Sequence, residues 1–372
     1  MVRIRCEEDF KREPAIIKVI GLGGAGGNAI NRMVEAGVEG VEFLAANTDA
    51  QALRASKAPV RIQLGEEFTR GLGVGGDPKK GRLASEESKE RLREVLAGAD
   101  LVFITAGMGG GTGTGSAPLV AQLARETNAL TLGVVTRPFH FEGQLRASLA
   151  DGGIRELRAC VDATLIIPND RLLDISSEAT PATEAFRMAD EVLRQAIQSI
   201  SDVITRSGNI NMDLNDIKAI MAGAGDALMG VGEAEGPSRA VEAVRKAVAS
   251  PLLENVSIEG ARGIIVNFVG DRLMTLSDMS EAMRFIHGVA SPEARIKMGQ
   301  VEDPEMGKRL RVTVIATGFP ARKARVASTF GRLTQGSERR PVGGDAPALS
   351  QAPTAEELSK PAFARWKLRK LR

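Results

Sequence analysis

The chain has 372 residues, of which 43% are hydrophobic, so we expect about two to three domains with substantial cores. Its 49 basic and 47 acidic residues nearly balance, which argues against a general nucleic-acid-binding protein. The 2 cysteines are too few for a disulfide framework, no apolar run is long enough for a membrane span, and the charged segment 1–13 has no signal-peptide core. These features together predict a cytoplasmic globular protein.

Buried apolar runs alternate with helical patterns through the first half of the chain. Strands are predicted at 16–20, 41–46, 61–64, 101–106, 131–135 and 163–167. Helices are predicted at 29–36 and 80–97. This alternation predicts a Rossmann-like α/β domain whose parallel sheet is covered by helices on both faces. Ligands of such sheets bind at the carboxyl ends of the strands.

The pattern changes near residue 182. Apolar spacing from 185 to 203 predicts one long helix that is buried on a broad side. A second, smaller α/β region follows, with helices at 216–222, 240–249 and 279–286 and strands at 263–269 and 311–317. Beyond residue 320 the composition shifts to Arg, Gly, Ser, Pro and Ala without a period, which is typical of a disordered segment.

Three glycine-rich segments lie among the predicted elements of the first half, at 21–28, 71–78 and 107–116. The third reads GMGGGTGTGS and lies between a buried strand and a helix. Glycine has no Cβ, so backbone N–H groups of such a loop can close on phosphate oxygens, and the helix N-terminus favours their negative charge. A flexible linker is the alternative, but linkers are not usually flanked by a strand and a helix. The third segment therefore predicts a phosphate site.

The type of nucleotide follows from how these segments compare with common motifs. None of them has the Gly-Lys-Ser/Thr of a Walker loop. Residues 21–26 fit the dinucleotide fingerprint, and Asp49 is a loose candidate for the acid that would bind a ribose. An NAD-dependent oxidoreductase is therefore one alternative. Two phosphate loops that converge on one ligand suit a nucleoside triphosphate better.

Ordered motifs along the chain carry a resemblance to a known family. The segment GGGTGTG at 109–115 is similar to the signature of the tubulin and FtsZ superfamily. The match continues through NTDAQAL at 47–53, TRGLG at 69–73, TRPF at 136–139, FEG at 141–143, IPND at 167–170, NMDLND at 211–216 and SPLL at 250–253. Over 14–320 the chain resembles the bacterial FtsZ family.

The resemblance implies a domain organisation. We expect a flexible N-terminus at 1–13, a GTP-binding domain at 14–182, a central helix at 183–207, a C-terminal α/β domain with the catalytic loop at 208–320, a disordered linker at 321–357 and a basic docking peptide at 358–372. The last segment keeps the Pro-Ala-Phe centre of the family's peptide at 361–363, but Lys360 and Ala364 depart from the usual pattern.

The resemblance also implies GTP and GDP as ligands. The residues expected near the phosphates are Gly23, Gly24, Gly26, Gly27, Gly73, Gly75, Gly109, Gly110, Gly111, Thr112, Gly113, Thr114 and Gly115. Glu142 and Arg146 are expected at the ribose. Mg²⁺ is expected to neutralise the β- and γ-phosphate oxygens, and the sequence assigns it no protein ligand.

By the same resemblance, the guanine base is expected among Asn28, Asn169, Phe186 and Asp190. A carboxylate facing guanine accepts hydrogen bonds from N1–H and from the exocyclic amine, and adenine has neither donor there. Without the motifs, Asp190 would be interpreted as a solvated helix residue and Phe186 as part of the core.

In this family the loop that contains Asn211, Asp213 and Asp216 acts on GTP bound by the neighbouring subunit. Asp213 and Asp216 are expected to position and polarise the attacking water. In isolation, two aspartates beside an asparagine would be interpreted as a helix N-cap. The implied enzyme is a GTPase that is stimulated by its own assembly.

The implied function is a head-to-tail homopolymer that forms the division ring at midcell, on the inner face of the membrane. Membrane-tethering and regulatory division proteins are the expected partners of the C-terminal peptide, whose basic residues suit weak contact with anionic lipid or only solubility. No specific nucleic acid is expected. Alternatives are a filament GTPase for cell shape or DNA partitioning and a nucleotide-gated scaffold without turnover.

Overall fold

The computed structural model describes residues 15–174, 180–206, 210–253 and 258–319. Ten strands form one sheet in the order β3-β2-β1-β4-β5-β6-β7-β10-β8-β9. The strands are β1 (Ile17–Leu22), β2 (Glu42–Asn47), β3 (Val60–Gln63), β4 (Leu101–Gly107), β5 (Leu130–Arg137), β6 (Ala163–Pro168), β7 (Gly225–Glu235), β8 (Gly263–Gly270), β9 (Arg295–Glu302) and β10 (Arg309–Thr317). The predicted termini at 1–13, 321–357 and 358–372 lie outside the described residues.

The sheet changes character at β10. Strands β1 to β7 pair in parallel throughout, as the alternation of apolar runs and helical patterns predicts. Strand β10 runs antiparallel to both of its neighbours, β7 and β8, while β8 and β9 are parallel. Only three residue pairs join β6 to β7, starting with Ala163 opposite Gly225. The two halves of the chain thus share one sheet through a short parallel pairing.

Twelve helices lie among the described residues and cover this sheet. They are α1 (Gly23–Glu35), α2 (Ala50–Arg54), α3 (Glu66–Thr69), α4 (Pro78–Glu87), α5 (Lys89–Leu96), α6 (Thr112–Glu126), α7 (Gln144–Arg158), α8 (Asp170–Leu173), α9 (Ala182–Thr205), α10 (Leu214–Met221), α11 (Arg239–Val248) and α12 (Leu276–Val289). Within the described ranges, none is long and apolar enough to cross a membrane.

Three apolar clusters hold the layers together. One lies under α1, α9 and α10 and includes strand residues from both halves of the sheet. A second lies on the opposite face of the first half, under α4 to α7. The third lies under α11 and α12 in the second half. Because α9 packs against β5 and β6 as well as β8 and β9, it joins both halves of the protein on one face.

Two helix predictions were wrong in their bounds. The helix predicted at 29–36 begins at Gly23, and the helix after the glycine signature begins at Thr112, so both glycine-rich segments supply the first turn of a helix. The helix predicted at 80–97 is two helices, α4 and α5, which meet at Ser88. The Ser88 hydroxyl accepts a hydrogen bond from the Gly65 N–H at 3.0 Å, which ties the break to the preceding loop.

Candidate nucleotide site

A cavity of about 230 Å³ lies where β1, β4 and β5 end, which is the edge at which parallel sheets bind ligands. The lining residues that the sequence predicted are Gly23, Gly24, Gly110, Gly111, Thr112, Gly113, Glu142, Arg146, Asn169, Phe186 and Asp190. Those that it did not predict are Leu22, Ala25, Gly107, Met108, Thr136, Pro138 and Ala189. Two glycine segments that are far apart in sequence therefore meet at one cavity.

Two helix N-termini face this cavity. Helix α1 begins at Gly23 and helix α6 at Thr112, and both residues line it. Gly23 has a φ of 68°, and a Cβ there would lie 3.0 Å from the Gly113 nitrogen. The first N–H groups of a helix have no partner within the helix, and its dipole favours negative charge. Two such ends at one cavity suit a ligand with several phosphates.

The segment 71–77 supports the α6 end of the cavity from behind. The hydroxyl groups of Thr48 and Thr112 are hydrogen-bonded at 2.7 Å, and the Gly73 N–H donates to the Thr48 carbonyl at 3.2 Å. A Cβ on Gly111 would lie 2.5 Å from Val74. Gly73 and Gly75 have positive φ and do not line the cavity, so their predicted phosphate contacts remain predictions.

Several predicted phosphate residues are placed in packing contacts outside the cavity lining. A Cβ would lie 2.4 Å from the Thr105 carbonyl oxygen at Gly26 and 2.1 Å from the Pro78 carbonyl oxygen at Gly115, so both positions require glycine for close backbone approach. The Thr114 hydroxyl accepts a hydrogen bond from the Gly109 N–H at 2.8 Å. Gly27 and Asn28 also lie outside the lining, as do Gly73 and Gly75.

Asp190 is a buried carboxylate on the cavity wall, in the third turn of α9. Burial raises its pKa above the usual aspartate range, while the Arg32 guanidinium, whose Nε lies 3.1 Å from Oδ2, opposes the rise. A buried acceptor of this kind favours a ligand that presents N–H donors. The interpretation of Asp190 as a solvated helix residue is wrong.

Asn169 and Phe186 complete the same wall. Asn169 is 5% exposed, and its Oδ1 has no hydrogen-bond partner among the described residues. Phe186 is 43% exposed, with its ring set edge-on to Phe139 at 5.4 Å and to Phe141 at 6.4 Å between centroids. An unpaired acceptor beside an exposed aromatic ring suits a flat polar base.

Glu142 and Arg146 form an ion pair at the opening of the cavity, with 2.8 Å between the Glu142 Oε2 and the Arg146 Nη1. The other Glu142 oxygen accepts a hydrogen bond from the Phe139 N–H at 2.8 Å. The Glu142 side chain is thereby fixed, whereas the Arg146 side chain is half exposed and can reach a ligand.

Asp49 does not serve the dinucleotide alternative. Its Oδ1 accepts hydrogen bonds from the N–H groups of Gln51 and Ala52, at 2.8 and 3.2 Å, and so caps α2. Asp49 is also absent from the cavity lining. The acid that an NAD site requires at the ribose is therefore missing from this position.

The predicted catalytic residues lie together at the start of α10, away from the cavity lining. The Asp213 Oδ1 accepts a hydrogen bond from the Asp216 N–H at 2.8 Å, so Asp213 is also the N-cap of this helix. Asp216 is ion-paired with Lys297 at 2.6 Å. Asn211 and Asp213 are exposed, which leaves the loop open to a neighbouring molecule.

The length of α9 separates the two groups. Phe186 and Asp190 lie in its first three turns, and the predicted catalytic loop follows its end at Thr205. At 1.5 Å of rise per residue, Asp190 and Thr205 are roughly 22 Å apart along the helix axis. The loop and the cavity of one chain are therefore at opposite ends of one rigid element.

Comparison with known proteins identifies the family. The model described as the Tubulin/FtsZ family GTPase domain matches residues 16–177, and that of the FtsZ family C-terminal domain matches residues 225–320. A solved structure of an empty FtsZ dimer from M. jannaschii is 42% identical, with a TM-score of 0.79, and the match covers 82% of this chain and 89% of that one. The chain belongs to the tubulin/FtsZ family.

Two further solved structures are similar to this chain. A mutant FtsZ from M. jannaschii is 42% identical, with a TM-score of 0.79 and coverage of 82% of this chain and 92% of that one. CetZ2 from Haloferax volcanii, a GTPγS-bound protofilament, is 23% identical, with a TM-score of 0.71 and coverage of 84% and 96%. The CetZ2 match shows a shared fold alone. The tubulin/FtsZ resemblance inferred from the motifs is confirmed, and with it a GTPase domain rather than an NAD domain.

The described residues contain no group of three or more His, Cys, Asp or Glu side chains that could hold a metal ion. The two acidic residues of the cavity lining, Glu142 and Asp190, are already paired with arginines. In this tubulin/FtsZ site, the donor set fits Mg²⁺ only as an ion carried by phosphates and water, the mode that Mg²⁺ commonly uses with nucleotides. The expected Mg²⁺ stays a prediction.

Sequence reasoning missed residues that support the site from other elements. Arg32 pairs with Asp190 across 158 residues of sequence, and no local pattern predicts such a contact. Thr48 lies within a family motif, as do Thr136 and Pro138, so the resemblance alone was a signal for these three.

Proposed function

We propose that the chain is a GTPase whose active site is completed only between subunits. Subunits then assemble head to tail, and GTP is hydrolysed at each junction. The main support for a shared active site is that the cavity and the acidic loop lie at opposite ends of α9. A contact between unlike surfaces repeats as an open filament. The FtsZ dimer at 42% identity supports self-association.

In the proposed complex, GTP lies with its phosphates at the N-termini of α1 and α6 and with its base at Asn169, Phe186 and Asp190. Backbone N–H groups supply most of the phosphate contacts, because the described lining offers one cationic side chain, Arg146. The Asp190 carboxylate accepts from guanine N1–H and the exocyclic amine. Adenine would leave this buried carboxylate unsatisfied, which selects against ATP.

Hydrolysis follows when the loop of the next subunit reaches the γ-phosphate. Asp213 and Asp216 orient and polarise the attacking water, and Asn211 helps to place it. Phosphoryl transfer depends mainly on positioning and on charge stabilisation, so a subunit without a neighbour turns over very slowly. Mg²⁺, when bound, neutralises charge on the β- and γ-phosphates.

The test is GTP hydrolysis per subunit against protein concentration, for wild type and Asp213→Ala. We expect the specific rate to rise above a threshold concentration in wild type and to collapse in the variant, while GTP binding is retained. A rate that does not depend on concentration, or a variant that hydrolyses normally, would contradict the shared site.

The cellular role that we propose is the division ring, on the cytoplasmic face of the membrane at midcell. Its support is the FtsZ-type C-terminal domain and the identity to FtsZ. The docking peptide proposed for membrane-tethering and regulatory partners lies outside the described residues. Imaging of a fluorescently tagged chain in dividing cells tests this role: a midcell band supports it, and filaments elsewhere favour cell shape or DNA partitioning.

A further inference from the structure

Lys297 contacts the catalytic loop directly. Its Nζ lies 2.6 Å from the Asp216 Oδ1, and the two side chains are 46% and 31% exposed. Lys297 belongs to β9, which lies at one edge of the sheet, and it comes 81 residues after Asp216 in the sequence. Among the described residues, no other ion pair involves either acid of the loop, Asp213 or Asp216.

Strand β9 holds the loop at more than this one point. The Gln300 N–H donates to the Ile210 carbonyl at 2.9 Å, at the start of the loop. A Cβ on Gly299 would lie 3.4 Å from the Met212 side chain. Two residues of β9 therefore bind the loop, Gln300 at Ile210 and Lys297 at Asp216, and Gly299 leaves space for Met212 between them.

In the proposed junction between subunits, this ion pair would reduce the repulsion between the loop and the nucleotide. Two carboxylates at the tip of the loop must approach a triphosphate that carries several negative charges, and this repulsion grows as water is excluded. A cation held beside one carboxylate offsets part of the repulsion. It also limits the directions in which that carboxylate can point.

We propose that Lys297 is a positioning residue, which orients Asp216 and offsets its charge when the loop meets the nucleotide of the neighbouring subunit. The inference rests on the proposed function. A half-exposed ion pair contributes little to folding stability. The effect of Lys297 therefore belongs in assembly and turnover, where the junction is closed, rather than in unfolding.

The experiment compares Lys297→Met and Lys297→Arg with wild type in the full chain. The measurements are the critical concentration for GTP-dependent assembly, by sedimentation, and GTP hydrolysis per assembled subunit. We expect Lys297→Met to raise the critical concentration about fivefold, the effect of losing one close charge pair, and to lower turnover. Lys297→Arg keeps the cation and restores both.

A matched control lies at the other end of β9. Arg272, in the turn after β8, pairs at 2.7 Å with Glu302, the last residue of β9, and among the described residues neither forms an ion pair with Asp213 or Asp216. Arg272→Met should leave assembly and turnover at wild-type values. GTP binding by unassembled subunits should be unchanged in every variant, because β9 contributes no residue to the cavity lining.

A double-mutant cycle separates positioning from simple packing. If Lys297 acts through Asp216, Lys297→Met has no further effect on assembly in an Asp216→Asn background. An equal loss in both backgrounds, a wild-type result for Lys297→Met, or no rescue by Lys297→Arg would overturn the inference while the shared site stands. Wild type that fails to assemble with GTP would overturn the proposed function and this inference together.

Discussion

At the residue scale, Asp190 carries the largest conflict between burial and charge in the cavity. Its pKa is raised because burial outweighs the stabilising effect of Arg32. An apolar or amide side chain would avoid this cost. A buried carboxylate in a cavity wall is therefore better explained by a ligand that needs two acceptors than by folding.

Asp190→Asn should weaken the binding of GTP and strengthen the binding of XTP, the corresponding xanthine nucleotide. The asparagine amide still accepts from N1–H, but its NH₂ group then faces the exocyclic amine of guanine, donor against donor. Xanthine has a carbonyl oxygen at that position and accepts from the amide. Losing a hydrogen bond to a charged group costs about 1.5–3 kcal/mol, so we expect GTP affinity to fall roughly 10- to 100-fold and XTP affinity to rise.

Equilibrium binding of both nucleotides to unassembled subunits measures the exchange. The control is Asp226→Asn, because Asp226 pairs with Arg158 at 2.8 Å and lies outside the cavity lining. That variant should bind GTP as wild type does. Unchanged GTP affinity in Asp190→Asn would contradict the proposal that guanine binds at Asp190.

At the scale of elements, the first half of the fold was predictable and the second half less so. Strands β1, β2, β4, β5 and β6 are mostly buried and apolar, so their pattern is strong, whereas β3 has one buried residue. Strand β7 was missed because glycine interrupts its apolar pattern. A Cβ at Gly230 or Gly232 would lie 1.9 or 2.0 Å from a carbonyl oxygen of α11. Close packing against α11 therefore requires glycine at both positions, and these glycines weaken the sequence pattern that predicts a strand.

Strand β9 was missed for a different reason. It lies at the edge of the sheet, and its exposed positions include Arg295 and Lys297. Charged side chains on an edge strand discourage pairing with other chains, but they also weaken the apolar alternation that predicts a strand. Lys297, one of these exposed charges, is the residue that pairs with Asp216 across 81 residues of sequence, a contact that no local pattern predicts.

The candidate site was also predictable only in part. The glycine segments at 21–28 and 107–116 and the predicted base residues Asn169, Phe186 and Asp190 followed from the family resemblance, and the structure places residues of all of them at one cavity. Long-range partners were not predictable, since the pairing of Arg32 with Asp190 depends on how α1 packs against α9. Motifs predict which residues bind, and packing decides what holds them in place.

At the scale of the whole molecule, α9 determines how far apart the cavity and the predicted catalytic loop of one chain lie. It packs on both halves of the sheet, with the cavity at its start and the catalytic loop after its end. A rigid helix of this length keeps the two sites of one chain apart in every conformation that preserves it. In the proposed filament, each junction then combines the cavity of one chain with the loop of another.

This geometry predicts that two inactive variants restore activity when mixed. Asp213→Ala keeps its cavity and holds GTP but has a defective loop. Asp190→Asn binds GTP poorly but has an intact loop. With GTP as the only nucleotide, we expect each variant alone to hydrolyse slowly and the mixture to exceed the sum of the two, measured as phosphate release at fixed total protein.

The decisive control mixes two variants that share the same defect. Asp213→Ala with Asp216→Asn provides intact cavities but no intact loop, so no junction in that mixture is complete and no recovery is expected. Recovery there would mean that these variants do not inactivate the loop. Absence of recovery in the first mixture, despite co-sedimentation of both variants, would mean that each chain hydrolyses its own GTP. The loop would then have to reach the cavity within one subunit, which the length of α9 does not permit without loss of the helix.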